Sequence, residues 1–226
     1  MKVDNKQIAI VANASKNLLP DLSLYSDMID TWIGVEKGAL YIIDNNESLD
    51  YALGDFDSVN ELEKGVIKEH AAYFREYPAE KDQTDLEIAI EKALSLHPKK
   101  IYLFGTTGGR KDHELVNIQL LYSIMHQGTE ANMVDKYNFI TLKFPGEYTL
   151  RKDNTYPYIS FIAFTPEVKG ITLKGFKYPL QNETISWGST LCISNHLLLN
   201  TGTFSHDNGI LLLIKSRDAV SDTIQK

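Results

Sequence analysis

Up to about residue 133, short apolar runs alternate with helical patterns; beyond residue 134 the helical patterns stop. No other feature constrains the fold as much as this change of period. Strands that alternate with helices build βαβ units and a parallel sheet, whereas strands separated only by turns build an antiparallel sandwich or barrel. In the first part, "IAIVA" (8–12), "TWIGV" (31–35), "DYALGDF" (50–56), "YFREY" (73–77) and "KIYLFGT" (100–106) read as strands. Several are continuous rather than alternating, as in a parallel sheet covered on both faces. A helix is expected from near Thr84, where Thr84 and Glu87 form a T-x-x-E capping box. Leu86, Ile90, Ala93 and Leu94 follow at helical spacing, and Pro98 closes the helix. A second helix is expected from about Asp112 to His126. It carries Leu115, Val116, Ile118, Leu120, Leu121 and Ile124 on most of its sides, which predicts burial.

In the second part, "NFITLKF", "YPYISFIAF", "GITLKGFKYPL", "STLCISN" and "GILLLIK" read as strands, with turn signals at Pro145-Gly146 and Asn208-Gly209. The expected organisation is therefore an α/β domain with a mostly parallel sheet over residues 1–133, followed by an all-β sandwich domain over residues 134–226.

The chain has 226 residues, 43% of them hydrophobic, enough to bury a core. Its single cysteine, Cys192, leaves no internal disulfide and fits a reducing compartment. No apolar run approaches the roughly 20 residues of a membrane span, and the N-terminus has no long apolar segment of the signal-peptide kind. A soluble cytoplasmic protein with no membrane partner is the expectation. A net charge of −7 with no Lys/Arg block argues against nucleic acid as a partner. It leaves room for phosphorylated ligands, because a divalent metal can sit between an acidic site and a nucleotide.

Three stretches carry chemistry. "LGDFDS" (53–58) places Asp55 and Asp57 two apart at a strand end, where i and i+2 point the same way. Two carboxylates that close repel unless a cation lies between them, and Mg²⁺ takes one or two carboxylates together with phosphates. The competing reading is that Asp57-Ser58 caps a helix over Asn60 to Lys68 and Asp55 is solvated. "KDQTDLEIAI" places Asp82 and Asp85 three apart at a helix start, either as ordinary N-terminal acids or as a second half of one metal site. "FGTTGGRKDHELVN" (104–117) follows a strand and opens a helix. Its glycines either form only a turn or offer backbone N–H groups to phosphate, with Arg110 as a fork suited to the same anion. It matches neither G-x-x-x-x-G-K-[ST] nor G-x-G-x-x-G. Cys192 has no evident base nearby and reads as a buried structural thiol. Trp32 and Trp187 read as packing residues, with the role of Trp187 open.

In this order the motifs resemble the thiamine pyrophosphokinase family. "GVEKGA" (34–39) is similar to its G-V-D-x-G-A, "GDFDS" and "DQTD" to its acidic motifs, and "GGRKDHELVN" to its G-G-R-x-D-H-x-x-x-N. "GITLKGFKYPL" (170–180) and "GSTLCISN" (188–195) are similar to its C-terminal strands. The resemblance implies an N-terminal ATP- and Mg²⁺-binding catalytic domain and a C-terminal sandwich that binds thiamine and dimerises. It implies a homodimer whose active site is shared between subunits, and transfer of a pyrophosphoryl group from ATP to the hydroxyl of thiamine, giving thiamine diphosphate and AMP. Carried over by residue, Asp55, Asp57, Asp82 and Asp85 are implied as catalytic, with Asp55, Asp57 and Asp85 as Mg²⁺ ligands. Glu36, Gly108, Gly109 and Arg110 are implied on the ATP side, and Asp112, Ser194 and Asn195 on the thiamine side. Glu36 stands where the family usually has Asp, and His196 where an acidic residue is common. A phosphohydrolase with Asp55 as nucleophile and Asp57 as acid/base competes, but it leaves the G-G-R segment without a role. A non-catalytic nucleotide sensor also competes, but it has no need of four aspartates.

Overall fold

The five strands expected in the first part all form: β1 (Gln7–Val11), β2 (Thr31–Val35), β3 (Tyr51–Gly54), β4 (Tyr73–Glu76) and β5 (Lys100–Phe104). The structure is a computed structural model and describes residues 5–219. A sixth strand, β6 (Glu130–Val134), has a single β-branched residue and little strand signal of its own; its place beside β5 supplies the burial instead. Among these six strands every pairing is parallel, in the order β4-β3-β2-β1-β5-β6. β1, β2 and β5 are buried almost throughout, whereas β4 lies at an edge and is largely exposed.

Four helices accompany this sheet: α1 (Gly38–Asp44), α2 (Glu61–His70), α3 (Asp85–Leu94) and α4 (Lys111–His126). α1 packs on β1 and β2 and touches α2, while α3 packs on β1 to β3 and touches α4, which covers β6. Right-handed crossovers give this division between the two faces, because the chain steps from β1 through β4 and then returns past β1 to β5. Asn60 caps α2 in a full capping box with Glu63. Thr84 caps α3 by accepting from the Glu87 N–H.

Two helix expectations change. α3 stops at Leu94, four residues before Pro98, and His97 turns out of it in the left-handed region (φ 52°). α4 spans the expected residues but buries only Asn117, Leu121 and Ile124, leaving Leu115 and Val116 exposed. Its apolar residues encircle the helix, and one sheet can cover only one side.

The chain divides into two compact units, one ending at residue 136 and the other beginning at residue 137. In the second unit β7 (Asn138–Lys143), β13 (Leu211–Ser216) and β9 (Tyr158–Ala163) pair antiparallel with β13 in the middle. A four-stranded antiparallel sheet runs β11 (Leu180–Ser186), β10 (Glu167–Lys174), β12 (Thr201–His206), β8 (Gly146–Arg151). The inner faces of the two sheets meet over Phe161, Phe176, Phe204, Leu173, Leu211 and Leu213. Each fully buried side chain of this size contributes about 1.5–3 kcal/mol. Cys192 belongs to the same core, and burial pushes its thiol up to about 11, which makes it an inert packing group.

Two strand expectations are corrected in this unit. "GITLKGFKYPL" is interrupted, because Gly175 (φ 80°) ends β10 and β11 begins only at Leu180. "STLCISN" is a turn: Ser194 has φ 54°, and Asn195 makes only an isolated bridge to Ile159. The turn signals at Pro145-Gly146 and Asn208-Gly209 do separate strands. Each carries the chain from one sheet to the other, between β7 and β8 and between β12 and β13.

Candidate functional site

In the α/β unit, the loops after β1, β2, β3, β4 and β5 converge on one cavity of about 730 Å³. It opens beyond the carboxyl ends of the strands, where strand order reverses between β1 and β5, and open α/β sheets bind ligands there. The loops after β1 and β5 are tied together. The Ala12 N–H donates to the Phe104 carbonyl and the Ala14 N–H to the Gly105 carbonyl, each at 2.9 Å. Gly105 has φ 63°, and a Cβ there would collide with the Ala12 carbonyl, so this close approach requires glycine.

Asp55 and Asp57 converge, but not by strand pleat. β3 ends at Gly54, and Phe56 between the two aspartates has φ 58°. The chain therefore turns at once, and the Asp57 N–H donates to Asp55 Oδ1 at 3.2 Å. A non-glycine residue in the left-handed region needs its surroundings to hold it there. Two groups do so. The Phe56 ring is buried and stacks on Phe74 with centroids 4.7 Å apart. Glu36, at the end of β2 and itself at φ 55°, accepts from the Phe56 N–H at 2.6 Å through Oε1 and from the Ser58 hydroxyl at 2.8 Å through Oε2. The helix-cap reading of Asp57-Ser58 falls away, because Asn60 caps α2.

Glu36, Asp55 and Asp57 can each bring one carboxylate oxygen within 4.8 Å of the others. Burial pushes the Glu36 carboxyl up, against its two hydrogen bonds, with Asp55 and Asp85 adding to the rise. Asp85 opens α3 on the same wall. Its carboxyl is likewise pushed up by burial, with Lys81 opposing and Asp55 and Asp57 adding. At Asp55 burial acts upward too, but the Asp57 N–H and Lys81 outweigh it and hold the carboxyl below its ordinary value. Lys81 lies between the two carboxylates, with Nζ 3.3 Å from Asp55 Oδ2 and 3.0 Å from Asp85 Oδ1.

Gly108, Gly109 and Arg110 line the same cavity as the acids. Neither glycine has a positive φ, and a Cβ would meet only the Ala14 methyl at Gly108 and nothing at Gly109. Backbone sterics do not demand glycine at either position; what glycine provides is bare backbone at the cavity wall. The Gly108 N–H is already engaged by Glu114 Oε2 at 3.2 Å. From α4, Asn117 anchors the loop by donating to the Thr106 carbonyl at 2.9 Å.

The remaining expected residues stand apart from this wall. Asp82 is exposed in the bend before α3 and is not in the cavity lining. The helix starts only at Asp85, so the three-residue spacing is not a helical face. Asp112 also lies outside the lining and pairs with Arg110, Nη2 to Oδ2 at 2.5 Å, both exposed. That hydrogen bond holds the Asp112 carboxyl down at about 2. Ser194 and Asn195 belong to the second unit. Ser194 is exposed, with its N–H donated to Ser160 Oγ at 3.0 Å. Asn195 is buried, and its carboxamide accepts from the Tyr178 N–H at 3.0 Å and donates to the Tyr178 carbonyl at 2.8 Å.

The wall also contains groups with weaker sequence signals. Lys81 pairs with Asp85 from the loop before α3, where no helical spacing marks it. Thr106 and Thr107 sit between strand and glycines. Their buried hydroxyls have no hydrogen-bond partner among the described residues.

Comparison with known proteins gives a consistent result. Residues 22–133 match the family model "Thiamin pyrophosphokinase, catalytic domain", and residues 147–211 match "Thiamin pyrophosphokinase, vitamin B1 binding domain". The chain is similar to the thiamine pyrophosphokinase of Bacillus subtilis, 49% identical over 213 residues, covering 94% of this chain and all of that one. The crystal structure of a thiamine pyrophosphokinase from Bacillus subtilis superposes with a TM-score of 0.89 at 48% identity, over 95% of this chain and 100% of that one. The corresponding Geobacillus thermodenitrificans structure gives 0.86 at 41% identity, over 95% and 99%.

Proposed function

We propose, from the premise that the chain belongs to the thiamin pyrophosphokinase family, that the cavity beyond β1 to β5 is where it converts ATP and thiamine to thiamine diphosphate and AMP. The observation that carries this reading is that one cavity is lined both by clustered carboxylates and by the Gly108-Gly109-Arg110 loop. Transfer of a phosphoryl-type group needs positioning and charge neutralisation more than covalent help.

The donor set fits Mg²⁺. All groups are hard oxygens: Asp55 and Asp57, which cluster with Glu36, would hold the metal together with Asp85 from the same cavity lining, while Glu36 holds Phe56 and Ser58. Bound there, Mg²⁺ supplies the positive charge that offsets the polyphosphate. Glu36 fixes the turn that aims Asp55 and Asp57. Gly109 and Arg110 face the phosphates, and Thr106 and Thr107 offer hydroxyl donors on the same wall. The hydroxyethyl oxygen of thiamine attacks the β-phosphorus; a new O–P bond forms, and the bond from Pβ to the bridging oxygen breaks to release AMP. The hydroxyl proton passes to a carboxylate of this wall, Asp57 or Asp85. Asp112, ionised beside Arg110, suits the cationic thiamine.

A second copy completes the thiamine pocket through Ser194, while Asn195 fixes the turn that presents it. Leu191, Ile193, Leu198 and Leu199 flank these two residues in sequence and are exposed, which supports a surface covered in a homodimer. The enzyme works in the cytoplasm, a reading supported by its single cysteine. No described helix is long and apolar enough to cross a membrane.

The test is incubation with ATP, Mg²⁺ and thiamine. AMP and thiamine diphosphate should appear in equal amounts, with AMP release dependent on thiamine, which a phospho-aspartate hydrolase or a sensor would not show. Asp57→Asn should keep its fold and lose about 100-fold or more in turnover. Near wild-type turnover in that variant refutes the assignment.

A further inference from the structure

Lys81 lies in the loop between β4 and α3, on the wall that holds the acids. Its ammonium donates to Pro78 O at 3.1 Å and Asp55 Oδ2 at 3.3 Å, and forms an ion pair with Asp85 Oδ1 at 3.0 Å. Its side chain is only 16% exposed. Asp55 follows β3 and Asp85 starts α3, so this one ammonium staples two separate elements of the proposed metal site.

We propose that Lys81 is a built-in counter-cation: it occupies the place between Asp55 and Asp85 in the free protein and yields it when the metal arrives with the polyphosphate. The inference rests on the reading of the site given above. An ammonium and a divalent cation cannot share the same carboxylate oxygens, because like charges at contact distance repel strongly in a partly buried site. Metal entering alone must therefore displace Lys81 with no anion to receive it. Metal entering with ATP brings a polyphosphate that accepts the released ammonium. Lysine suits the role, as a compact point charge on a flexible four-carbon stem. The free protein then binds divalent metal weakly, and metal and nucleotide strengthen each other's binding by the same factor. Lys81 is a positioning residue here, and its effect appears in metal affinity before any chemistry.

The test is titration of Mn²⁺ into nucleotide-free protein, with free Mn²⁺ read by electron paramagnetic resonance. Lys81→Met should bind Mn²⁺ about tenfold more tightly than the wild type, since a competing charge has gone. The gain in Mn²⁺ affinity produced by a non-hydrolysable ATP analogue should shrink by the same factor. Lys81→Arg, which keeps the charge, should stay within about twofold of the wild type. If Lys81→Met does not fold by circular dichroism, Lys81→Gln makes the same measurement. Mn²⁺ affinity that is unchanged or weaker in the neutral variant overturns the proposal. Asp55→Asn separates the two levels. If it leaves Mn²⁺ binding unchanged, the carboxylates are not the metal site and the functional reading fails with it. If it weakens Mn²⁺ binding while the neutral Lys81 variant matches the wild type, only the role of Lys81 falls.

Discussion

Replacing Glu36 with alanine removes the carboxylate that holds the Asp55–Asp57 turn, and the size of the effect follows from its two partners. Hydrogen bonds to a charged acceptor are each worth about 1.5–3 kcal/mol, and the buried Phe56 N–H would be left unmet. Phe56 would also lose one of the two restraints that keep it at φ 58°. Removal of a buried carboxylate gives part of this back, since burial already disfavours its charged form. The net loss for Glu36→Ala should be about 2–4 kcal/mol in chemical denaturation. If all of it is felt at the aspartates, kcat/KM should fall about 30- to 1000-fold. Glu36→Gln is the informative partner. Its carbonyl oxygen can still accept from Phe56, its NH₂ can donate to the Ser58 hydroxyl, and stability should stay within about 1 kcal/mol of the wild type. Most of the activity should survive as well. If Glu36→Gln loses as much activity as Glu36→Ala while keeping its stability, the negative charge itself is used and the positioning argument is wrong.

Two further predictions concern the sandwich. Asn195→Ala should destabilise that unit by about 1–3 kcal/mol, because the buried Asn195 side chain loses both of its part-buried bonds to the Tyr178 backbone; a denaturation midpoint equal to the wild type would contradict this. His206 is buried in β12, and burial lowers its pKa, although the Gly209 and Lys143 backbone pulls upward. The unfolded chain therefore binds the proton more readily. The stability tied to neutral His206 is present above its ordinary pKa of 6.5 and is lost as pH falls from there toward its lower folded value. Melting temperature should drop between about pH 7.5 and 5.5, and His206→Leu should flatten that drop; equal slopes in the two proteins would rule the assignment out.

The period change was legible because burial on two faces and burial on one face leave different residue patterns, as "IAIVA" in β1 and "GITLK" in β10 show. The carboxylates and the glycine loop were legible as an ordered set: each has an ordinary reading as a cap or turn, but together they follow successive strands of one parallel sheet and so reach one cavity. Three kinds of feature were not. The meeting of Asp55 and Asp57 depends on the backbone at Phe56, and a phenylalanine gives no hint of a left-handed φ. The hold of Glu36 on Phe56 and Ser58 gives no sequence signal because these partners lie 20 and 22 residues away. "STLCISN" has the composition of a strand, but Ser194 at φ 54° breaks it and Asn195 supplies side-chain bonds where a ladder would supply backbone ones. Asp82 shows the reverse error: its spacing to Asp85 is helical, yet it lies before the cap.

The middle position of β13 sets an order of assembly. β9 finds its ladder partner in β13 and so waits for the last described strand of the chain. During synthesis it has an edge of unpaired backbone groups until residues 211–216 emerge, while the parallel strands of the first unit can already be paired. Closing the sandwich also joins segments about 70 residues apart, the slow, non-local kind of pairing. On the ribosome, the half that carries the carboxylates should thus be finished well before the half that carries Ser194.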